Sequence, residues 1–224
     1  MSRKIPLPMI AIEGIDGSGK TLQANQLKIR LEKNGKRVKE ISFPQYGRFF
    51  GKEIGHYLSG ESIRADQVDS KSMSLWYAMD RWDAFQHIDY SGYDILLMNR
   101  YVMSNAVYQA IRSIDQEDNW AWIKELEHTQ LGLPEPDLYI LLDVAPDCAQ
   151  KNVDRKGERN YVKGRDVYEA QEGLLLRARA RYLDIAKRED NVEIIACMDE
   201  QQRQYRPEQI AEQVWRAVES RGWS

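Results

Sequence analysis

A segment near the start of the chain has the spacing G-x-x-x-x-G-K-[ST], which is typical of loops that bind phosphate groups. It consists of Gly14, Ile15, Asp16, Gly17, Ser18, Gly19, Lys20 and Thr21. The glycines let backbone N–H groups turn inward, and a following helix adds the positive end of its dipole. Lys20 would bridge the β- and γ-phosphates of a nucleoside triphosphate, and the Thr21 hydroxyl would ligate Mg²⁺. The segment predicts a triphosphate-binding loop but leaves the phosphate acceptor open.

An aromatic and a cationic side chain share one face of a later helical stretch. Tyr77 and Arg81 are four residues apart in "LWYAMDRWDAF", so a ring would lie beside a guanidinium group. That pair suits a nucleobase, since one side chain stacks and the other donates hydrogen bonds. In the alternative, Leu75, Tyr77 and Trp82 belong to the core and Arg81 forms a surface ion pair with Asp80 or Asp83. The spacing does not decide between them.

Polar side chains also follow the apolar runs that predict strands. Arg100 comes directly after one such run and could fork onto a phosphate. Ser104, Tyr108 and Gln109 return on the same side of the following helix, where Gln109 could read a base edge. Arg48 follows the preceding strand. Each could be structural when taken singly, but together they bring cations and aromatic rings towards one phosphate loop.

A carboxylate and a basic segment complete the candidates. Asp143 follows the apolar residues of the run "DLYILLDV", where it would serve either as an Mg²⁺ carboxylate or in a helix N-cap. Arg155 to Glu172 is rich in cations and is either a solvated loop or a mobile flap. The flap interpretation answers a need of phosphoryl transfer, because the phosphate loop has no arginine of its own.

Five apolar runs alternate with helical stretches, which is typical of βαβ units. They span residues 9–13, 37–43, 94–99, 137–144 and 192–196. Three of them are almost continuously apolar, as in parallel strands covered on both faces. Ligands of such sheets bind at the carboxyl ends of the strands, where the candidate residues lie.

The composition limits the class of protein. The 224 residues are 42% hydrophobic, enough for one core, and no linker or repeat marks a domain boundary. The net charge of −3 argues against a general nucleic-acid binder. No apolar run approaches a membrane span or a signal peptide, and the two cysteines are too few for a disulfide framework. We expect a cytoplasmic protein.

The order and spacing of the motifs resemble the thymidylate kinase family, P-loop enzymes that phosphorylate dTMP to dTDP. The similar stretches include "EGIDGSGKT", "LWYAMDRWD", "NRYVMSNAVYQ" and "GLPEPDLYILLDV", and they extend over nearly the whole chain. The resemblance implies an α/β fold of the P-loop NTPase type, in which helices flank a parallel sheet of about five strands. It also implies ATP and dTMP as substrates, Mg²⁺ as cofactor, and a homodimer packed through the helix that contains Tyr77.

The resemblance further implies one nucleoside monophosphate kinase domain over residues 1–224, with a lid at about 155–166, as in bacterial members of the family. One lid arginine would reach the transferring phosphate, and the similarity does not say which. The candidates are Arg155, Arg159 and Arg165. No general base is required, because the attacking phosphate oxygen is already ionised at neutral pH.

For the acceptor, the resemblance implies that Tyr77 stacks on thymine while Arg81 and Gln109 hydrogen-bond the base. Arg100 would hold the dTMP phosphate, with Arg48 as a second candidate for that role. Asp16 would approach the 3′-hydroxyl or the acceptor phosphate. The remaining substrate-binding residues, Ser104 and Tyr108, lie on the helix after Arg100. Tyr108 would crowd the 2′ position of the sugar and so favour deoxyribose.

Three positions depart from the family pattern: Asn99 replaces an acidic residue, Leu22 replaces a second Ser or Thr, and Tyr46 stands where many members have arginine. Two other interpretations stay open. One is a P-loop kinase acting on a nucleoside or another deoxynucleotide. The other is a non-catalytic nucleotide-binding module or GTPase-like switch, for which the guanine-reading motif N-K-x-D is missing from the sequence.

Overall fold

A five-stranded parallel sheet forms the centre of the computed structural model, which describes residues 5–61, 63–112, 119–156 and 173–224. The strands are β1 (Met9–Glu13), β2 (Val38–Ser42), β3 (Ile95–Asn99), β4 (Leu138–Asp143) and β5 (Val192–Ala196). Their order across the sheet is β2-β3-β1-β4-β5, and every neighbouring pair is parallel. The predicted α/β fold with five parallel strands is confirmed.

Eight α-helices connect and cover these strands within the described ranges. They are α1 (Lys20–Lys33), α2 (Phe49–Ser59), α3 (Ser70–His87), α4 (Val102–Ala110), α5 (Trp120–Lys124), α6 (Pro146–Lys156), α7 (Leu174–Ala186) and α8 (Pro207–Glu219). A π-helical segment, Glu125–Gln130, continues directly from α5. None of the helices in these ranges has the length and apolar character needed to traverse a bilayer.

The helices form two groups around the sheet. In the first, α1 packs on β1, β2 and β3, and α8 packs on β5 and on α1. In the second, α4 packs on both α3 and α7, and α7 packs on β4 and β5. Every residue of β1 is buried, as expected for a central strand covered on both faces. This arrangement places the carboxyl ends of β1 and β3 side by side.

Glu13, the last residue of β1, attaches α4 to this edge of the sheet. Its carboxylate is fully buried and accepts hydrogen bonds from the backbone N–H groups of Tyr101 (2.7 Å) and Ser104 (3.2 Å). These donors belong to the first turn of α4, which the carboxylate therefore caps. The hydroxyls of Ser104 (2.5 Å) and Tyr182 (3.1 Å) also donate to it. Burial raises the pKa of Glu13, although the bond from Ser104 opposes that rise.

Candidate active site

The predicted phosphate loop lies between β1 and α1, at the carboxyl edge of the sheet. Gly14, Gly17 and Gly19 have φ values of 142°, 79° and 94°, which side chains rarely allow. Lys20 begins α1, and its Nζ donates to the carbonyl oxygens of Gly14 (2.9 Å) and Ile15 (2.7 Å). The lysine therefore lies over the loop, in position to meet a bound phosphate. Its 7% exposure leaves the ammonium group strongly desolvated.

Gly17 lies where the phosphate loop meets α6. A Cβ at this position would overlap the carbonyl oxygen of Ala149, and the Gly17 carbonyl accepts a hydrogen bond from Asn152 Nδ2 at 2.9 Å. Because no side chain fits between the loop and α6, position 17 cannot supply a cation to a transferring phosphate. Any arginine for that charge must come from another part of the chain.

Replacing Gly17 by alanine is expected to lower the free energy of unfolding by about 1–3 kcal/mol more than the same change at Gly35. Gly35 has a similar φ of 83° but open space around it, so Gly35→Ala carries only the backbone strain. Urea unfolding of the two variants isolates the overlap with Ala149. Equal unfolding free energies would contradict the close packing of α6 against the loop.

Thr21 and Asn99 form the candidate magnesium position. The Asn99 amide Nδ2 donates to the Thr21 hydroxyl at 3.1 Å, and Asn99 Oδ1 is buried without a hydrogen-bond partner. An unpaired oxygen beside the loop threonine suits a hard cation that also keeps water and phosphate ligands. Within the described residues, no cluster of three or more His, Cys, Asp or Glu could hold a metal ion. These two side chains therefore fit Mg²⁺ only together with the phosphates of a nucleotide.

Asp143 at the end of β4 is bound by an arginine of α7. Arg179 donates through Nε (2.6 Å) and Nη2 (2.9 Å) to the two carboxylate oxygens. Neither predicted role of Asp143, as an Mg²⁺ carboxylate or in a helix N-cap, included an ion pair with Arg179. The sequence offers no signal for it, because the two residues belong to different elements.

Arg100, Asp16 and Tyr108 join the phosphate loop to α4. Arg100 has an unusual φ of 65°; its Nη2 pairs with Asp16, and its Nη1 donates to the Ser104 hydroxyl at 3.1 Å. The Tyr108 hydroxyl donates to the Asp16 carboxylate at 3.0 Å, and the guanidinium lies 5.3 Å from the Tyr108 ring centre. Burial would lower the pKa of Arg100, but the charge of Asp16 outweighs it and raises the pKa well above its ordinary value. The cluster thus holds a permanent cation beside the loop.

Arg81 does not form the surface ion pair with Asp80 or Asp83 that was one of its two predicted roles. It is buried, and its Nε and Nη2 each donate to the carboxylate of Glu127 at 2.6 Å. The nearby acids have other partners, since Asp80 accepts from the backbone N–H of Gln45 (3.0 Å) and Asp83 accepts from Arg48 (2.8 Å). Nη1 is the one guanidinium nitrogen that makes no bond to Glu127 and could donate to a base.

Two polar atoms on α4 are buried without partners, and one belongs to a residue that the sequence reasoning missed. Gln109 is fully buried; its Oε1 accepts from Arg112, and its Nε2 has no partner. Asn105 donates through Nδ2 to the carbonyl of Ser74 (3.1 Å) and to Glu127 (2.9 Å), while its Oδ1 has no partner. The four-residue spacing from Asn105 to Gln109 was the available signal.

The remaining candidates differ in how far the structure places them. Tyr77 is half-buried against the core, one turn before Arg81 on α3. Arg48 precedes α2, and its Nε donates to Asp83. Arg155 is exposed near the end of α6. The other two candidates for the lid arginine, Arg159 and Arg165, lie outside the described residues, as does most of the predicted lid.

Comparison with known proteins gives a consistent family. A family model described as Thymidylate kinase matches residues 12–204. A thymidylate kinase of Mycobacterium tuberculosis is 33% identical over 186 residues, which cover 80% of this chain and 85% of the relative. A thymidylate kinase of Schizosaccharomyces pombe is 31% identical and covers 73% of both chains, so the relatives include a yeast protein.

A solved structure supports the fold. The thymidylate kinase of Candida albicans matches with a TM-score of 0.74 at 22% identity, covering 97% of this chain and 93% of that one. At this identity the likeness shows a common fold and nothing finer. Because the family model spans most of the sequence, and the Mycobacterium tuberculosis relative covers four fifths of it, the chain belongs to the thymidylate kinase family of nucleoside monophosphate kinases.

Proposed function

We propose that the protein transfers the γ-phosphate of ATP to dTMP, giving ADP and dTDP. The observation that carries this proposal is the ion pair between Asp16 of the phosphate loop and Arg100 before α4. It joins a triphosphate-binding loop directly to a cation that suits an acceptor phosphate. Donor and acceptor phosphates would therefore meet at the carboxyl ends of β1 and β3.

The transfer needs alignment and charge neutralisation rather than a base. An oxygen of the dTMP phosphate attacks the γ-phosphorus, and the bond from that phosphorus to the β–γ bridging oxygen breaks as ADP leaves. Lys20 bridges the β- and γ-phosphates and neutralises charge that develops there, while Arg100 forks onto the dTMP phosphate and holds the attacking oxygen. Mg²⁺, when bound beside Thr21 and Asn99, supplies further charge neutralisation at the phosphates. The loop itself adds no arginine.

The acceptor side would be completed by α3 and α4. Tyr77 stacks on thymine, Arg81 Nη1 and the unpaired Gln109 Nε2 donate to the base, and Arg48 assists at the phosphate. Tyr108, fixed over Asp16 by its hydroxyl, crowds the 2′ position and excludes ribose. The burial of Gln109 supports this assignment, because an unpaired buried donor is costly unless a ligand satisfies it.

The wider properties of the protein are proposals as well. We propose one kinase domain over residues 1–224 with a basic lid at about 155–166 of the kind found in bacterial members, from which Arg155, Arg159 or Arg165 reaches the transferring phosphate. We also propose a cytoplasmic homodimer packed through α3, without nucleic-acid or membrane partners. The net charge of −3 and the exposed Leu75 of α3 support these two expectations.

Coupled measurement of ADP release tests the reaction. We expect dTMP to stimulate ATP turnover far more than dCMP, dGMP or AMP, and thymidine to fail because Arg100 has no phosphate to bind. Equal rates across the nucleotides would contradict the proposed substrate. Turnover with thymidine would indicate a nucleoside kinase, and slow hydrolysis that no acceptor stimulates would indicate a non-catalytic module.

A further inference from the structure

Glu127 is a buried acid that the proposed reaction does not use directly. It lies on the π-helical segment Glu125–Gln130 and has no exposed surface. Its two oxygens accept from Arg81 Nε and Nη2, both at 2.6 Å, and from Asn105 Nδ2 at 2.9 Å. Irregular π-helical turns within helices often occur at functional sites. Glu127 thus binds one residue of α3 and one residue of α4 through a single carboxylate.

These bonds fix which polar atoms remain for a ligand. Asn105 Nδ2 has two acceptors, Glu127 and the Ser74 carbonyl, so its amide cannot reverse without losing both hydrogen bonds. Its Oδ1 is therefore held as an acceptor, and this atom is buried without a partner. Arg81 has two nitrogens bound to Glu127 and retains Nη1 as a donor. Arg81 Nη2 and Asn105 Nδ2 contact the same oxygen, Oε1, so Glu127 brings the side chain that retains a donor and the side chain that retains an acceptor together at one atom.

We propose that Glu127 is a positioning residue that sets the base preference of the acceptor site by orienting Asn105 and Arg81. An acceptor beside a donor matches thymine, whose N3–H donates and whose O4 accepts. Cytosine has the opposite polarity, because its N3 accepts and its 4-amino group donates. The inference rests on the proposed function, since it concerns the base of the nucleoside monophosphate that the site would bind.

A purely structural role would leave the unpaired atom unexplained. A buried ion pair is weak evidence for stability, because desolvation of both charges offsets their attraction. The Arg81–Glu127 pair alone would need no third donor, yet Asn105 is bound as well and its Oδ1 is left unsatisfied. A buried acceptor without a partner has a cost that a bound N3–H would remove. Specificity explains the arrangement, because a site that hydrogen-bonds its substrate strongly rejects analogues of the wrong polarity.

The test compares Glu127→Gln with Glu189→Gln by steady-state kinetics on dTMP and dCMP. The amide introduced by Glu127→Gln would present a donor to Asn105 or Arg81, so only the Ser74 carbonyl would still oppose reversal of the Asn105 amide. We expect KM for dTMP to rise at least about tenfold with little change in kcat, and the preference for dTMP over dCMP to fall at least about tenfold. Glu189 accepts from Trp120 and from Lys124 (2.8 Å) of α5, the helix that continues into Glu125–Gln130, so Glu189→Gln perturbs the same region without touching the base site. An unchanged preference in Glu127→Gln would overturn the inference.

Two further measurements keep the inference testable if Glu127→Gln does not fold. Asn105→Ala retains the Arg81–Glu127 pair and removes the acceptor, so it should reduce the dTMP preference similarly. On the unaltered protein, N3-methyl-dTMP should lose at least about tenfold in kcat/KM, and Asn105→Ala should abolish that loss. Equal sensitivity to the methyl group in both proteins would overturn the inference. If the unaltered protein shows no dTMP preference, the proposed function fails; if the preference exists and survives these changes, only the role of Glu127 fails.

Discussion

Replacing Lys20 by alanine is expected to lower kcat by at least about a hundredfold, which corresponds to about 2.7 kcal/mol of transition-state stabilisation. Lys20 Nζ lies at the centre of the phosphate loop, bound to the carbonyls of Gly14 and Ile15. No side chain at Gly17 can replace the lost cation, because α6 fills that space. The measurement is ADP release under saturating ATP and dTMP, so that a change in kcat is separated from a change in KM.

Lys33→Ala is the matched control, since it removes a lysine from the other end of the same helix, where the side chain is exposed. It should leave kcat within about twofold. Circular dichroism and thermal unfolding of Lys20→Ala show whether the chain remains folded. A folded Lys20→Ala protein with unchanged kcat would refute the assignment of the loop to the donor triphosphate.

The sequence was informative about the fold because the strand signals are local. The apolar runs at 37–43 and 137–144 contain β2 (Val38–Ser42) and β4 (Leu138–Asp143) with one extra residue at each end. Unbroken apolar runs correctly indicated strands covered on both faces. The sheet order could not be obtained in the same way, since it depends on which distant segments pair.

The site was predictable only where one motif contains all the partners. Strand, glycines and lysine of the phosphate loop are consecutive, so its position between β1 and α1 followed from the sequence. The partner of Arg81 did not, because Glu127 is 46 residues away in the chain while Asp80 and Asp83 are close in sequence. Burial and competing partners overturned the local argument: Arg81 points into the core, Asp80 is buried but accepts from the backbone of Gln45, and Asp83 is paired with Arg48.

Replacing Arg100 by methionine is expected to lower kcat/KM for dTMP by about a thousandfold, or about 4 kcal/mol. The side chain is held by Asp16 and by Ser104 at 3.1 Å, so its fork is already oriented when the acceptor phosphate arrives. Methionine fills the space but leaves Asp16 without its cation, which adds repulsion towards the incoming phosphate. We expect KM for ATP to change much less, because the triphosphate is held by the loop and Lys20.

Arg100→Lys separates charge from geometry at the same position. Lysine keeps the positive charge but cannot fork onto the phosphate and onto Asp16 together, so it should recover only part of the loss. Arg37→Met is the control: Arg37 also forms a two-bond ion pair, with Asp94 at 3.1 and 3.0 Å, but at the start of β3 rather than at its end. It should leave kcat/KM unchanged. If Arg100→Met and Arg37→Met gave equal kinetics, Arg100 would not bind the acceptor, and the phosphate of dTMP would have to be held by Arg48 or by the lid.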